Sequence, residues 1–295
     1  MLVSLKASSP LFLLEMNHKY GHLRNGIKQP QLDEFITACA VDTLTNKRPN
    51  LTMIHLVDMD SMRHRYGVRS KEAMAALQRL DRHVGMLIEA TKRAGTFEDT
   101  NFVILGDHYQ INVDHMIHLN TLFAQRGWLT PRQDQTFEND WQVMAKTADG
   151  STYIYTRPGF DELDELRSLV SQVEGVETII TGAEAAQRGA DPACALMVEA
   201  KEGYYFTDES RRPLVVEPVH PDTLGQPDRY HGVHGYDPTK PRCYSTDRLS
   251  RRAPRLIQRT WLMKHRPLPS CSAYSLQDQC LVNNSTFSRS KIDEI

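Results

Sequence analysis

The sequence predicts an α/β chain in which a mostly parallel sheet is flanked by helices and carries a smaller α+β insertion. The apolar runs LTMIHLV (51–57) and NFVIL (101–105) are short and bounded by turn signals, as is typical of strands buried on both faces. Residues 71–94 between them repeat apolar side chains at helical spacing; Ser70 is suited to cap this helix and Gly95 to end it. Strand, helix and strand in this order indicate a parallel βαβ unit.

The remaining segments extend this pattern. Residues 30–50 (PQLDEFITACAVDTLTNKRPN) favour a helix with acidic residues in its first turn. Past Trp128 the pattern changes to two strands joined by a turn at Asp149-Gly150, followed by a helix and further short strands. The predicted division is a core of residues 1–129 and 226–241, an α+β insertion of residues 130–225, and an atypical basic tail of residues 242–295.

The composition is that of a globular protein. The chain has 295 residues, a formal net charge of -2, 40% hydrophobic and 24% charged residues, so neither nucleic acid nor a membrane is an expected partner. No apolar run approaches the ~18 residues of a membrane helix. Five irregularly spaced cysteines and the absence of a clear signal peptide favour a cytoplasmic location.

Acidic and histidine residues follow the two predicted strands. Asp60 and His64 come four residues apart after the first strand, with Asp58 as a spare carboxylate, and Asp107 and His108 are adjacent after the second. Ligands of parallel sheets bind at the carboxyl ends of the strands. Each pattern alone is also explained by solvated loop acids and packed histidines, and Asp58 is as compatible with solvent exposure as with orienting a histidine.

A third group lies near the end of the predicted core. His231 and His234 belong to the glycine-rich segment YHGVHGYDP, which permits close backbone approach but also suits a plain turn. Three loops that each bring Asp or His residues together predict a hydrolytic site with two metal ions. Carboxylate and imidazole ligands suit zinc, with manganese as the alternative.

The three motifs DMDSMRHRYG, TNFVILGDHYQ and HGVHGYDPTKP together resemble the type I phosphodiesterase/nucleotide pyrophosphatase branch of the alkaline phosphatase superfamily. The resemblance covers about residues 8–240. It implies an alkaline phosphatase-like fold, incomplete in this chain, and metal-dependent hydrolysis of phosphodiester or phosphate ester bonds in a small phosphate ester or nucleotide.

The same resemblance implies which residues hold the two divalent ions. Asp60, His64 and His234 would bind one ion, and Asp107 and His108 would bind the other. The residues that contact the substrate remain open, with Tyr66, Asn112 and Tyr236 as candidates.

Members of the family complete the second metal site with an early aspartate and use a Thr or Ser nucleophile that attacks phosphorus. No segment before Gln31 combines a strand, an aspartate and such a residue at a helix start. We therefore expect no catalytic nucleophile in this chain, and impaired hydrolysis. The segment GDHYQ also departs from the family pattern, and the tail lacks the apolar strand that the family shows after its HGY turn, as though it were replaced or read in another frame.

Other functions would leave similar metal residues. A phosphomonoesterase, a phosphonate hydrolase and a phosphomutase-like enzyme of the same superfamily are alternatives, as is a non-catalytic remnant that binds metal. Among the remaining histidines, His55 is expected to pack in the core of its strand, and His118 to sit at a helix start.

Overall fold

A computed structural model describes residues 9–226, residues 229–237 and the backbone of residues 261–263. The α/β class is confirmed, since helices and strands alternate through the chain. The chain forms two compact units, and the borders of the predicted core, insertion and tail stay a prediction. The first unit comprises Met1–His55, Asp81–Tyr109 and Asp247–Ile295, and the second comprises Leu56–Leu80 and Gln110–Thr246.

Among the described residues, the two longest α-helices lie in segments that the sequence predicted to be helical. Ser70 caps the longest helix as expected, because its Oγ accepts a hydrogen bond from the backbone N–H of Ala73 at 3.1 Å. In chain order the helices are α1 (Pro10–Tyr20), α2 (Gln31–Asp42), α3 (Asp58–Tyr66), α4 (Lys71–Ala94), α5 (Leu119–Gln125), α6 (Leu163–Ser171) and α7 (Gly182–Gln187).

None of the helices in the described part of the chain is both long and apolar enough to cross a lipid bilayer. The cytoplasmic location stays a prediction.

The first unit contains a short antiparallel strand pair. Strand β1 (Phe102–Ile104) pairs with β10 (Trp261–Met263), so that Phe102 is opposite Met263. Apart from β10, the predicted basic tail of residues 242–295 lies outside the described residues.

The strands pair differently from the expected mostly parallel arrangement. Residues 51–57 form no strand, and the side chains of Leu51 and Met53 are 78% and 88% exposed. A buried strand needs neighbouring strands for its N–H and C=O groups, and none of the described strands pairs with this segment. His55 is correspondingly exposed instead of packed, which corrects that expectation.

The second unit carries two four-stranded sheets. One is centred on β2 (Ile111–Ile117), which pairs in parallel with β7 (Gly203–Phe206) and antiparallel with β8 (Val216–Pro218) and β9 (Gly232–Val233). The other is wholly antiparallel, and a tight turn joins β3 to β4 within it. Its order is β3 (Val143–Ala148), β4 (Ser151–Thr156), β6 (Leu196–Ala200) and β5 (Val176–Thr181).

These strands confirm the predicted α+β elements beyond Trp128, including the turn at Asp149-Gly150 between β3 and β4. Alternating side chains of the strands and the inner face of α6 form the core of this unit. The largest fully buried side chains include Phe123, Phe206, Ile111, Ile154 and Leu166.

A buried polar cluster lies beside β2 and surrounds His118, whose side chain is fully buried. The Nδ1 atom of His118 lies 2.6 Å from Thr207 Oγ1 and 3.4 Å from Glu209 Oε2. Glu217 accepts a hydrogen bond from Arg212 at 2.5 Å. Burial is the largest effect on His118 and lowers its pKa to about 4. The charge of Glu217 would raise this pKa, but the charge of Arg212 acts against it.

This low pKa makes stability depend on pH. Between pH 7 and pH 5 the unfolded chain protonates His118 and the folded chain does not, so the folded state loses about 2 kcal/mol relative to the unfolded state. We expect urea unfolding to show this loss in the native chain, and a correspondingly smaller loss in His118→Gln. Equal losses in the two chains would contradict the assignment.

Candidate metal centre

Helix α3 places the first two predicted ligands on one face. Asp60 and His64 are four residues apart, and residues at this spacing lie one above the other on a helix. The sequence predicted a loop here, but the segment is a helix that brings the same two side chains together. Met59 and Met62 lie on another face, which packs against Ala73 and Ala76 of α4.

The contacts of Asp60 define one side of the site. Its Oδ1 atom lies 3.3 Å from Nε2 of His64 and accepts a hydrogen bond from Nε2 of Gln110 at 3.0 Å. His64 and Gln110 are both buried. The aspartate is therefore held in place from two sides by groups that restrict its rotamer.

His234 approaches from the loop after β9. Its ring centroid is 5.2 Å from that of His64, with the rings tilted by 67°. Ligand atoms of Asp60, His64 and His234 all lie within 4.8 Å of one another. Tyr230 covers His64 from another side, with ring centroids 4.4 Å apart.

The β3–β4 turn fixes the position of His234. The backbone N–H of Gly150 donates to the carbonyl of His234 at 2.8 Å. Gly235 follows with a φ of +84°, and a Cβ at this position would lie 1.9 Å from the carbonyl oxygen of Ala148. Only glycine accommodates both the left-handed backbone and this close approach. Tyr236 then packs its ring against Gly150.

A second carboxylate belongs to the same turn. The Oδ2 atom of Asp149 lies 3.6 Å from Nε2 of His234. Burial alone would lower the pKa of His64, but the hydrogen bond and charge of Asp60, together with the charge of Asp149, raise it above its ordinary value. The surroundings of His64 therefore favour positive charge.

The donor set fits a divalent cation. A carboxylate and two imidazoles whose ligand atoms lie within 4.8 Å of one another are of the types that zinc prefers, and the negative charge of the carboxylate favours a cation over a neutral group. Asp60, His64 and His234 thus come together as the sequence predicted, while their role as ligands stays a prediction.

The other polar residues of the first and third motifs have structural contacts. Asp58 is fully buried and accepts a hydrogen bond from Arg79 Nε at 2.6 Å, so it is not a solvated loop carboxylate. His231 donates its backbone N–H to the carbonyl of His64 at 2.7 Å, and its Nε2 lies 3.1 Å from Thr223 Oγ1.

Two candidate substrate contacts are likewise engaged within the protein. Asn112 Oδ1 accepts a hydrogen bond from the backbone N–H of Val68 at 2.8 Å. The hydroxyl of Tyr236 donates to the carbonyl of Tyr204 at 2.5 Å.

Asp107 and His108 belong to the first unit, following β1. Asp107 Oδ2 lies 3.4 Å from His55 Nε2 and 3.7 Å from His108 Nε2, and the side chains of His55 and Asp107 are 73% and 60% exposed. The part of Asp107 and His108 in a second metal site stays a prediction.

Sequence reasoning did not single out Gln110 or Asp149 as parts of the site. The Asp149-Gly150 dipeptide was fully explained as a turn, and Gln110 was given no role of its own. Residue type and spacing carried no further signal, because both contacts form between segments far apart in the chain.

Comparison with known proteins identifies the family. The family model described as type I phosphodiesterase / nucleotide pyrophosphatase matches residues 7–237, which is most of the chain. The chain belongs to this family. The predicted resemblance is therefore confirmed, and the family is one of hydrolases.

Individual members of the type I phosphodiesterase/nucleotide pyrophosphatase family match shorter stretches. Venom phosphodiesterase 2 of Crotalus adamanteus is 33% identical over 79 residues, which are 26% of this chain and 10% of the snake protein. Ectonucleotide pyrophosphatase/phosphodiesterase family member 1 of Homo sapiens is 36% identical over 63 residues, or 21% of this chain and 7% of the human protein. The aligned stretch is thus a small part of each of these relatives.

Solved structures with a similar chain course share lower identity. Murine ectonucleotide pyrophosphatase / phosphodiesterase 5 has a TM-score of 0.48 at 19% identity, covering 70% of this chain and 48% of the murine one. Phosphonoacetate hydrolase from Sinorhizobium meliloti 1021 has a TM-score of 0.46 at 18% identity, covering 70% of this chain and 47% of that chain. Similarity at this level carries no functional inference.

The geometry around Gly235 can be tested by substitution. We expect Gly235→Ala to lower the free energy of unfolding by about 3 kcal/mol, because the methyl group combines backbone strain with a clash against Ala148. Gly127→Ala is the matched control, since Gly127 has a φ of +74° and open space around its Cβ position.

For Gly127→Ala we expect the free energy of unfolding to fall by only about 1–2 kcal/mol, which is the strain of the left-handed backbone alone. Denaturant unfolding of the two variants gives the comparison. Equal losses would show that the close approach to Ala148 contributes nothing to stability.

Proposed function

We propose that this chain binds a divalent metal ion through Asp60, His64 and His234, and that the ion is zinc, with manganese as the alternative. The observation that supports the proposal is the convergence of these three side chains, whose ligand atoms lie within 4.8 Å of one another. Asp60 and His64 belong to the motif DMDSMRHRYG and His234 belongs to the motif HGVHGYDPTKP, and both motifs contribute to the resemblance to the family. We further propose Asp107 and His108 as ligands of a second ion.

The proposed chemistry is hydrolysis of phosphodiester or phosphate ester bonds in a small phosphate ester or nucleotide. A bound divalent ion would supply Lewis-acid polarisation of a phosphoryl oxygen. Other residues hold the donor atoms in place. Gln110 orients Asp60 through a side-chain hydrogen bond to Oδ1, and the backbone hydrogen bond from Gly150 to His234 fixes the loop of His234. Members of the family support the reaction class.

We propose further that the 295-residue chain turns over phosphodiesters slowly. The sequence has no aspartate before Asp33 and no threonine before Thr37, and none of its serines ahead of α2 follows an aspartate, so no residue there matches the family's early aspartate or its Thr or Ser nucleophile. Without a positioned nucleophile, covalent catalysis is lost, although the metal ligands remain.

Metal binding is the direct test of the three-residue site. We expect Asp60→Asn and His64→Asn each to weaken zinc binding to the full chain by at least about 100-fold, since each removes a donor. Isothermal titration of the chelator-treated chain measures this, with circular dichroism to confirm that the variants fold. Asp161→Asn is a matched control, because Asp161 is an exposed aspartate of the same unit.

Zinc affinities of the two variants equal to that of the native chain would contradict the proposed site. The number of zinc ions bound separates two functions: two per chain favours a hydrolytic centre, whereas one or none favours a non-catalytic remnant.

Turnover is tested separately with bis(p-nitrophenyl) phosphate in the presence of zinc or manganese. We expect hydrolysis far slower than that of a full-length family member. A rate within about tenfold of such a relative, a difference of only ~1.4 kcal/mol in barrier, would refute the proposed impairment.

A further inference from the structure

The first unit buries few large apolar side chains and exposes many. The apolar side chains that its described residues bury are Met16, Ala40, Leu87, Ala90 and Ala94. Eight large ones are exposed, namely Leu11, Leu14, Ile27, Leu51, Met53, Met86, Val103 and Leu105. Soluble proteins keep large apolar patches at the surface mainly where a partner binds. The first unit therefore offers a surface for a partner.

Residues 51–55 (LTMIH) contribute two of these exposed side chains. Leu51 and Met53 are two positions apart and are 78% and 88% exposed. None of the described strands pairs with this segment. The segment contains no Lys, Arg, Asp, Glu or Pro, and charged residues and proline are what usually prevents a strand edge from pairing with another chain. Its composition therefore permits such pairing.

Strand β1 leads into a second row of exposed apolar side chains. Val103 of β1 and Leu105, which follows the strand, are 49% and 54% exposed. Asp107 comes two positions further on, and its Oδ2 lies 3.4 Å from Nε2 of His55. Since Met53 likewise lies two positions before His55, the contact joins the ends of two rows that have the same spacing. The two rows therefore approach each other where they end, and both present apolar side chains to solvent.

The charge of the first unit favours an identical partner over a strongly charged one. Its described residues include eight Lys and Arg and nine Asp and Glu. Charge that is nearly balanced gives no long-range attraction to a nucleic acid or an anionic membrane, and it causes little repulsion between two copies of the same unit. The uncharged segment of residues 51–55 is likewise compatible with a copy of itself.

We propose that residues 51–55 pair in antiparallel orientation with the same residues of a second copy of this chain. A two-fold axis at Met53 sets Met53 opposite Met53 of the second copy, and Leu51 opposite His55 of the second copy. Such pairing joins the backbone N–H and C=O groups of the two chains, and a two-fold contact closes after two copies. The inference goes beyond the proposed function, because it does not depend on metal binding.

Sedimentation velocity of the full chain between about 1 and 100 µM tests the pairing, since small interfaces give weak association. We expect a dimer whose population rises with concentration. Met53→Lys sets two lysines opposite each other at the axis, and we expect it to raise the dimer dissociation constant by at least about 10-fold. Circular dichroism confirms that the variant folds, as expected for a side chain that is 88% exposed.

Ile27→Lys is the matched control. Ile27 belongs to the same unit, is 87% exposed and receives the same charge, but it lies outside the proposed contact. This variant should dimerise as the native chain does.

A cross-link tests the position of the two-fold axis. Residues directly opposite each other on antiparallel strands have Cβ atoms about 4.5–5.5 Å apart, close to the separation that a disulfide spans. We expect Met53→Cys to form a disulfide between two chains on mild oxidation, and mass spectrometry to identify the peptide linked through position 53. Ile27→Cys should not form the corresponding link.

The outcomes are distinct. A native chain that stays monomeric over the whole concentration range overturns the proposal and leaves the surface to a different partner. A Met53→Lys dimer as tight as the native one, or equal weakening by Ile27→Lys, refutes the contact at residues 51–55. Assemblies that grow beyond a dimer contradict the two-fold closure.

Discussion

The close approach of Gly235 to the β3–β4 turn is the constraint on which the metal centre depends. The missing side chain lets the backbone pass the carbonyl of Ala148, and the Gly150 N–H then bonds the carbonyl of His234. Tyr236 secures the same crossing by packing on Gly150. An antiparallel hairpin far along the sequence from α3 thus determines where His234 lies relative to Asp60 and His64. Because of this crossing, the HGY segment is held in the backbone conformation that places the imidazole of His234 near Asp60 and His64.

Much of the local structure and part of the site could be predicted from the sequence. The spacing of Asp60 and His64 brings the two side chains together on a helix. A loop could have done the same, so their proximity was predicted correctly although the helix was not. The Asp149-Gly150 turn followed from residue preferences. The pattern YHGVHGYDP marked His231 and His234 as candidates, but that His234 and not His231 joins Asp60 and His64 did not follow from local patterns, and only the resemblance to a family indicated it. Gln110 escaped notice for the same reason.

The predicted parallel strands show where sequence patterns reach their limit. An apolar run such as residues 51–57 indicates that burial would be favourable, but a strand exists only if another strand offers hydrogen bonds. The described residues provide none to this run, and Leu51 and Met53 remain exposed. His55 was expected in the core on the same grounds and instead lies near Asp107 at the surface. The predicted strand was therefore wrong, because burial depends on partner strands that an apolar pattern does not specify.

The turn and the helix of the candidate metal centre do not themselves require acidic residues. Asp60 lies 3.3 Å from His64 and Asp149 lies 3.6 Å from His234, and the side chains of Asp60 and His234 are 33% and 31% exposed. Burial alone would lower the pKa of His64, but the hydrogen bond and charge of Asp60, together with the charge of Asp149, raise it, so the surroundings of His64 favour positive charge. An asparagine would form the same turn as Asp149, and Met59 and Met62 already anchor α3. Neutral residues would therefore serve the turn and the helix as well, and the role of Asp60 as a metal ligand stays a prediction.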